Sequence, residues 1–217
     1  MASSPDGAAA GYPAFFADAP PITLRDPLAC FLGAAADGTI TYRYVDAVKL
    51  AGHSCPTVAG AYLMVRRGLA RLYGDALPER GAIEVHLRDA ADQGTTGVIA
   101  LVATLITGAA AETGFGGIGA GRRFARRGLL RFDAPIGGLM ALRRRDNGAG
   151  VVLDLDAAIV PPDPAMGPLF SRAVVDQADA REQAQFAMLW QDRVARMLLE
   201  HADSDRLVRM TDWQAAA

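Results

Sequence analysis

The chain has 217 residues, 51% of them hydrophobic, which suits one generous domain with a proper core, or one domain with an appendage. With 22 basic against 24 acidic residues, no long-range field draws the molecule towards nucleic acid or a membrane, and any basic patch must be local. No stretch offers roughly 18 consecutive apolar residues, which argues against a membrane span. The two separated cysteines, Cys30 and Cys55, read as free thiols of a reducing compartment, so the expected location is the cytoplasm.

Residues 1–21 are rich in Ala, Gly, Ser and Pro and lack the basic start and apolar run of a secretory signal, so a loose N-terminal arm is expected there, followed by a single domain over 22–217. Asp26 as N-cap, Pro27 at the first helical position and Gly33 at the end predict a short helix carrying Cys30. After the Asp37-Gly38 turn, the β-branched and aromatic residues 39–45 predict a strand. From Pro56 the apolar residues Val58, Tyr62, Val65, Leu69 and Leu72 recur at helical steps until Gly74, the stripe of an amphipathic helix.

Ile83, Val85 and Leu87 alternate with Glu84, His86 and Arg88, which predicts a strand with His86 on its polar face. A second helix is expected over 95–108, with small residues along one side. A strand at 129–132 and a hairpin, 140–145 with 151–155 around Asp146-Asn147-Gly148, complete the expected β structure. Beyond the Pro-rich run 161–168, Phe186, Leu189, Trp190, Val194, Met197 and Leu198 mark a C-terminal helix over about 180–201. His201 then sits at its end, as a cation facing the helix dipole. The order of elements predicts an α+β fold: a mixed sheet with packed helices.

The chemistry concentrates at Gly52-His53-Ser54-Cys55-Pro56. A cysteine ligates metals as thiolate, which free amides and the macrodipole at a helix N-terminus favour, and Cys55 directly precedes the predicted helix. His53, in an extended approach, can turn its ring to the same side. An imidazole and a thiolate make half of a tetrahedral zinc site, so further ligands must come from the fold, a second copy of the chain or water. His86 is the first candidate for a third ligand, with Asp89 and Asp92 behind it; the plainer alternative is an ordinary strand residue.

Gly114-Phe115-Gly116-Gly117-Ile118-Gly119 satisfies G-x-G-x-x-G, but it follows a helix and not a buried strand, so a dinucleotide site is not expected. A tight glycine loop against another backbone, beside the metal, is. Arg122, Arg123, Arg126 and Arg127 form a basic cluster that reads either as solvated surface or as a hold for a small anionic ligand, with Arg123 and Arg126 as its contacts. Arg143, Arg144 and Arg145 are expected to pair across the hairpin with Asp154 and Asp156.

The Gly-His-x-Cys-Pro segment entering a helix, together with Thr107-Gly108 and the glycines 114–117, resembles the FmdE-like family of formylmethanofuran dehydrogenase proteins over roughly residues 46–132. The chain departs from that family at 94–98, where members often carry a second cysteine, and it lacks the C-terminal four-cysteine ribbon of some members. The resemblance implies a fold related to the second domain of glyceraldehyde-phosphate dehydrogenase, a homodimer, and a bound transition metal, zinc first, held by His53 and Cys55. The expected role of such a metal-binding chain is that of an accessory factor or metallochaperone. The alternatives are a metal-dependent enzyme acting on a small anionic substrate, or a haem or cofactor binder.

Overall fold

The computed structural model describes residues 11–213. Of the expected arm, residues 1–10 lie outside the described residues, and the remainder is packed. Helix α1 (Phe15–Asp18) buries Phe16, whose ring meets Tyr44 edge-on at 5.0 Å. Three aromatic rings within five residues, Tyr12, Phe15 and Phe16, gain more from such contacts than the Ala/Gly composition around them suggests.

Strand β1 (Ile22–Arg25) pairs antiparallel with β2 (Thr39–Tyr42), and α2 (Pro27–Phe31) lies between them with Asp26 as its cap, as expected. Cys30 and Cys55 are free. The predicted strand 39–45 ends early. The Arg43 amide donates to Asp46 Oδ2 at 2.8 Å, and α3 (Tyr44–Ala51) begins there, burying Tyr44, Ala47 and Val48 on one face. The apolar spacing changes from two to three and four at Tyr44, and the chain follows it.

Helix α4 (Pro56–Tyr73) spans 18 residues from Cys55 to the cap at Gly74. Next come β3 (Ile83–Leu87), α5 (Thr96–Thr107), β4 (Leu130–Arg131), β5 (Met140–Arg144), β6 (Gly150–Leu155), α6 (Met166–Ala173), α7 (Ala180–Leu199) and β7 (Val208–Trp213). The main sheet has the order β4-β3-β5-β6-β7; β3 and β4 run parallel and the other pairs antiparallel. The fold is therefore α+β with a mixed sheet and packed helices. No helix of the described residues is long and apolar enough to cross a membrane.

Helix α4 lies across the sheet, against β5, β6 and β7, and carries α5 and α7 at its sides. Val58, Tyr62, Val65 and Leu69 are all buried. Two glycines set the close approach. A Cβ on Gly60 would fall 2.3 Å from Leu155 Cδ2, and one on Gly68 would lie 2.7 Å from Leu142 Cδ1 and 2.9 Å from Leu153 Cδ1. Gly68→Val should therefore destabilise the protein by about 1–3 kcal/mol through overpacking, read as a lower urea midpoint; an unchanged midpoint would mean that the helix can lift off the sheet freely.

The opposite sheet face holds a smaller cluster of Ala134, Ile136 and Ala141 with Val152 and Trp213. The expected hairpin forms, with Arg143 opposite Gly150, but its arginines do not pair with Asp154 and Asp156. That register carries the two acids past the arginines, and they meet Arg209 of β7 instead, at 2.7 and 3.4 Å. Arg144 turns back to Asp146 and the Leu72 carbonyl and lies over the Tyr73 ring.

Candidate functional site

Gly52 closes α3 in the left-handed conformation, φ 76°, and turns the chain into an extended approach to α4. Within that approach Ser54 is tied down on three sides. Its Oγ donates to Gln191 Oε1 at 2.9 Å and lies 2.9 Å from the Tyr44 hydroxyl. Its carbonyl accepts from Trp190 Nε1 at 3.0 Å and Gln191 Nε2 at 3.1 Å. Burial pushes the Tyr44 phenol above its usual range, with the hydrogen bond to Ser54 opposing, so Tyr44 stays a neutral donor. The segment between His53 and Cys55 is thus fixed by α3 on one side and α7 on the other, which the apolar stripe of α7 gave no hint of.

The two flanking side chains meet. Cys55 Sγ lies 3.3 Å from His53 Nε2, and the other ring nitrogen, Nδ1, is 2.9 Å from the Ala51 carbonyl. A carbonyl only accepts, so Nδ1 carries the proton, and in the neutral ring the Nε2 lone pair faces the sulfur. Cys55 occupies the N-cap of α4, with Pro56 behind it, and accepts the Val58 amide at 3.5 Å. The Val58 amide and the positive end of the helix dipole both face the sulfur. His53 is exposed and Cys55 half-buried, so the pair is open to solvent. Such a pair can hold a metal, or pass a proton from thiol to imidazole.

His86 does not join them. Val85 beside it belongs to the core under the helices, so His86 points to the other face of the sheet, where its ring meets Trp213 edge-on at 4.7 Å. It is buried, contrary to the expected polar face. Nε2 is 3.5 Å from Glu84 Oε2. Burial lowers its pKa, with Glu84 opposing and Arg131 and Arg143 reinforcing. The strand that would cover His86 is β7, whose pairing the alternation in β3 does not disclose. Asp89 is engaged by Arg88. Among the described residues no group of three or more His, Cys, Asp and Glu side chains could hold a metal.

The arginine cluster divides. Arg126, expected as a ligand contact, is 6% exposed and bonds Asp26 Oδ1 through Nη2 at 2.7 Å. Asp26 also receives Arg80 Nη1 at 2.9 Å and the amides of Leu28 and Ala29. Burial alone would raise the Asp26 pKa, but the Arg80 bond, the Arg126 charge and the two amides outweigh it and hold the carboxyl below its usual range. Arg127 Nε donates to the Gly114 carbonyl, whereas Arg123 lies over the Phe124 and Phe31 rings.

The glycine loop is tight, as expected: a Cβ on Gly117 would sit 2.3 Å from the Arg122 carbonyl oxygen. It does not flank the His53–Cys55 pair. Arg145 binds the Ala82 carbonyl through its amide next to Arg144, which reaches Leu72 in the last turn of α4. The arginines thus gather at the C-terminal end of that helix, about 27 Å long at 1.5 Å per residue, and Cys55 stands at its start.

No protein-family model and no curated protein matches this chain. Among solved structures it is similar to the crystal structure of a tungsten formylmethanofuran dehydrogenase FmdE-like protein from Syntrophus aciditrophicus, at 17% identity and a TM-score of 0.40, over 81% of this chain and 74% of that one. A likeness of that degree assigns no role to His53 or Cys55.

Proposed function

We propose that this chain is a metal-binding protein in which His53 and Cys55 hold a divalent transition metal, zinc first. The observation that carries the reading is the pair itself: Sγ 3.3 Å from Nε2, with Nδ1 anchored on the Ala51 carbonyl. Zinc bonds of about 2.3 Å to sulfur and 2.0 Å to nitrogen, at a tetrahedral angle, set the two donors roughly 3.5 Å apart. The donors therefore already stand at nearly the required separation. A backbone carbonyl on the distal ring nitrogen is the usual device that orients a metal-binding histidine, and the amide of Val58 suits a thiolate. Bound there, the metal would supply Lewis acidity or be passed on.

Two donors leave the other positions to water, to a passing ligand or to a second copy in a homodimer. An exposed two-donor site suits an accessory or metallochaperone role, since exchange is fast when few protein ligands must let go. The test is elemental analysis, with cobalt(II) as a spectroscopic stand-in. Wild-type protein should take up cobalt with a thiolate-to-metal charge-transfer band; Cys55→Ser should lose the band and His53→Ala should weaken it, with Cys30→Ser unchanged. No uptake by wild type, or equal uptake by the Cys55→Ser variant, would sink the reading.

The same geometry favours a second reading, in which His53 is a base that takes the Cys55 proton and the thiolate acts as nucleophile, oriented as in other thiol–imidazole pairs. Rapid alkylation of Cys55 by iodoacetamide at neutral pH, slowed by His53→Ala and indifferent to zinc, would select it over the metal.

A further inference from the structure

The end of α4 remote from Cys55 carries a second feature that the metal reading does not use. A cleft of about 460 Å³ opens there, lined by Arg80, Arg122, Arg123, Phe124, Arg126 and Arg145, with Glu79 the one acid in its wall among the described residues. That volume lies within the range of small-molecule sites, about 300–1,000 Å³. Among the described residues Arg122, Arg123 and Arg145 make no ion pair, and all three are exposed.

The floor of the cleft is rigid and carries unbalanced charge. Arg80 and Arg126 share a single carboxylate, Asp26. Arg126 is held against bare backbone: a Cβ on Gly81, at φ 90°, would lie 1.3 Å from its Nη1, and one on Gly108 would lie 3.2 Å away. Its Nε is buried and, among the described residues, has no hydrogen-bond partner. Burial lowers the Arg126 pKa, and the neighbouring Arg80 charge adds to this while Asp26 and, less strongly, Glu79 oppose it. A buried arginine beside a half-buried one, with one carboxylate between them, leaves positive charge that an anion brought in from outside balances. Arg122 and Phe124, in the wall, both hold left-handed backbone at φ 47° and 64°, a conformation that non-glycine residues keep where surrounding structure imposes it.

We propose that this cleft binds a small phosphorylated molecule, with Arg122, Arg123 and Arg145 donating to its phosphate or diphosphate group over the fixed Arg80–Asp26–Arg126 floor. Several guanidinia converging on one opening suit a multiply charged phosphate, which accepts forked N–H pairs, better than a single carboxylate. The site is separate from the His53–Cys55 pair and does not depend on a metal there.

Isothermal titration calorimetry with inorganic pyrophosphate, inorganic phosphate and citrate tests this on the full chain. Pyrophosphate should bind and raise the melting temperature, phosphate more weakly, and added sodium chloride should weaken both. The Arg123→Gln, Arg145→Gln double variant should keep the wild-type circular dichroism spectrum and bind pyrophosphate about tenfold or more weakly. The His53→Ala, Cys55→Ala double variant should bind as wild type, so that loss of the metal site and loss of this one are told apart. Absence of pyrophosphate binding, equal binding by the arginine double variant, or citrate binding as tightly as pyrophosphate would each overturn the proposal.

Discussion

Asp26→Ala should destabilise the protein by about 3–5 kcal/mol, because it strands buried arginine charge with no carboxylate beside it. On a chain of this size that corresponds to a melting temperature lower by roughly 10 °C. Asp26 touches three parts of the molecule at once. It caps α2 through the amides of Leu28 and Ala29, takes Arg80 from the approach to β3, and takes Arg126 from the loop before β4. Asp26→Asn keeps the shape and part of the cap, so it separates charge from packing; it should lose most of the same stability. A loss under about 1 kcal/mol in both variants would mean that the two arginines re-solvate at little cost.

The same residue sets a pH dependence. Its pKa is lower in the folded chain than the ordinary aspartate value, so protons bind more tightly to the unfolded state. The stabilisation is present above the unfolded aspartate range and is lost as pH falls through the depressed folded value. Wild-type stability should therefore decline on acidification below about pH 4, and the Asp26→Ala variant should show a shallower decline in the same window. Parallel curves for the two proteins would remove Asp26 as the cause.

Arg67→Met should destabilise by about 2–3 kcal/mol, through the loss of its charge-assisted hydrogen bonds to two backbone carbonyls. Arg67 is a buried cation on α4, and its Nη1 donates to the carbonyls of Ser204 at 2.6 Å and Val208 at 2.8 Å. Methionine keeps most of the packing volume, so the effect isolates the polar contacts. Because those carbonyls lead into β7, the variant should also expose the β7 amides to hydrogen exchange before the rest of the sheet. Uniform exchange across the sheet would show that β7 does not depend on this tether.

The expected strand over 39–45 stopped at Tyr42 for a local reason, the change of apolar spacing at Tyr44, whereas the expected polar face of His86 failed for a tertiary one. Local alternation reports which face of a strand differs in polarity, but not what another strand will later lay over it. Trp213 closes over His86 from β7, more than a hundred residues away in sequence. Similarly, Asp154 of β6 and Asp156 just beyond it have Arg209 of β7 beside them, and a hairpin register inferred from one turn cannot anticipate a third strand. The His53–Cys55 pair was legible, because both side chains and the helix cap lie within one short segment. The arginines at 122–127 were legible as a cluster, but not their division into a buried floor and an exposed wall.

By itself the sequence determined the features set by near neighbours: the cap at Asp26, the start of α4 at Cys55-Pro56, its buried stripe, the β5–β6 hairpin, and the meeting of His53 with Cys55. These depend on spacing, capping and turn chemistry, which act over a few residues. Tertiary structure alone decided which charges are compensated and which faces are covered. It buried Asp26 between Arg80 and Arg126, moved His86 away from the thiol, anchored Ser54 on α7, and set the arginine cleft at the far end of α4. Burial and ion pairing depend on segments brought together across the whole chain, so no local pattern encodes them.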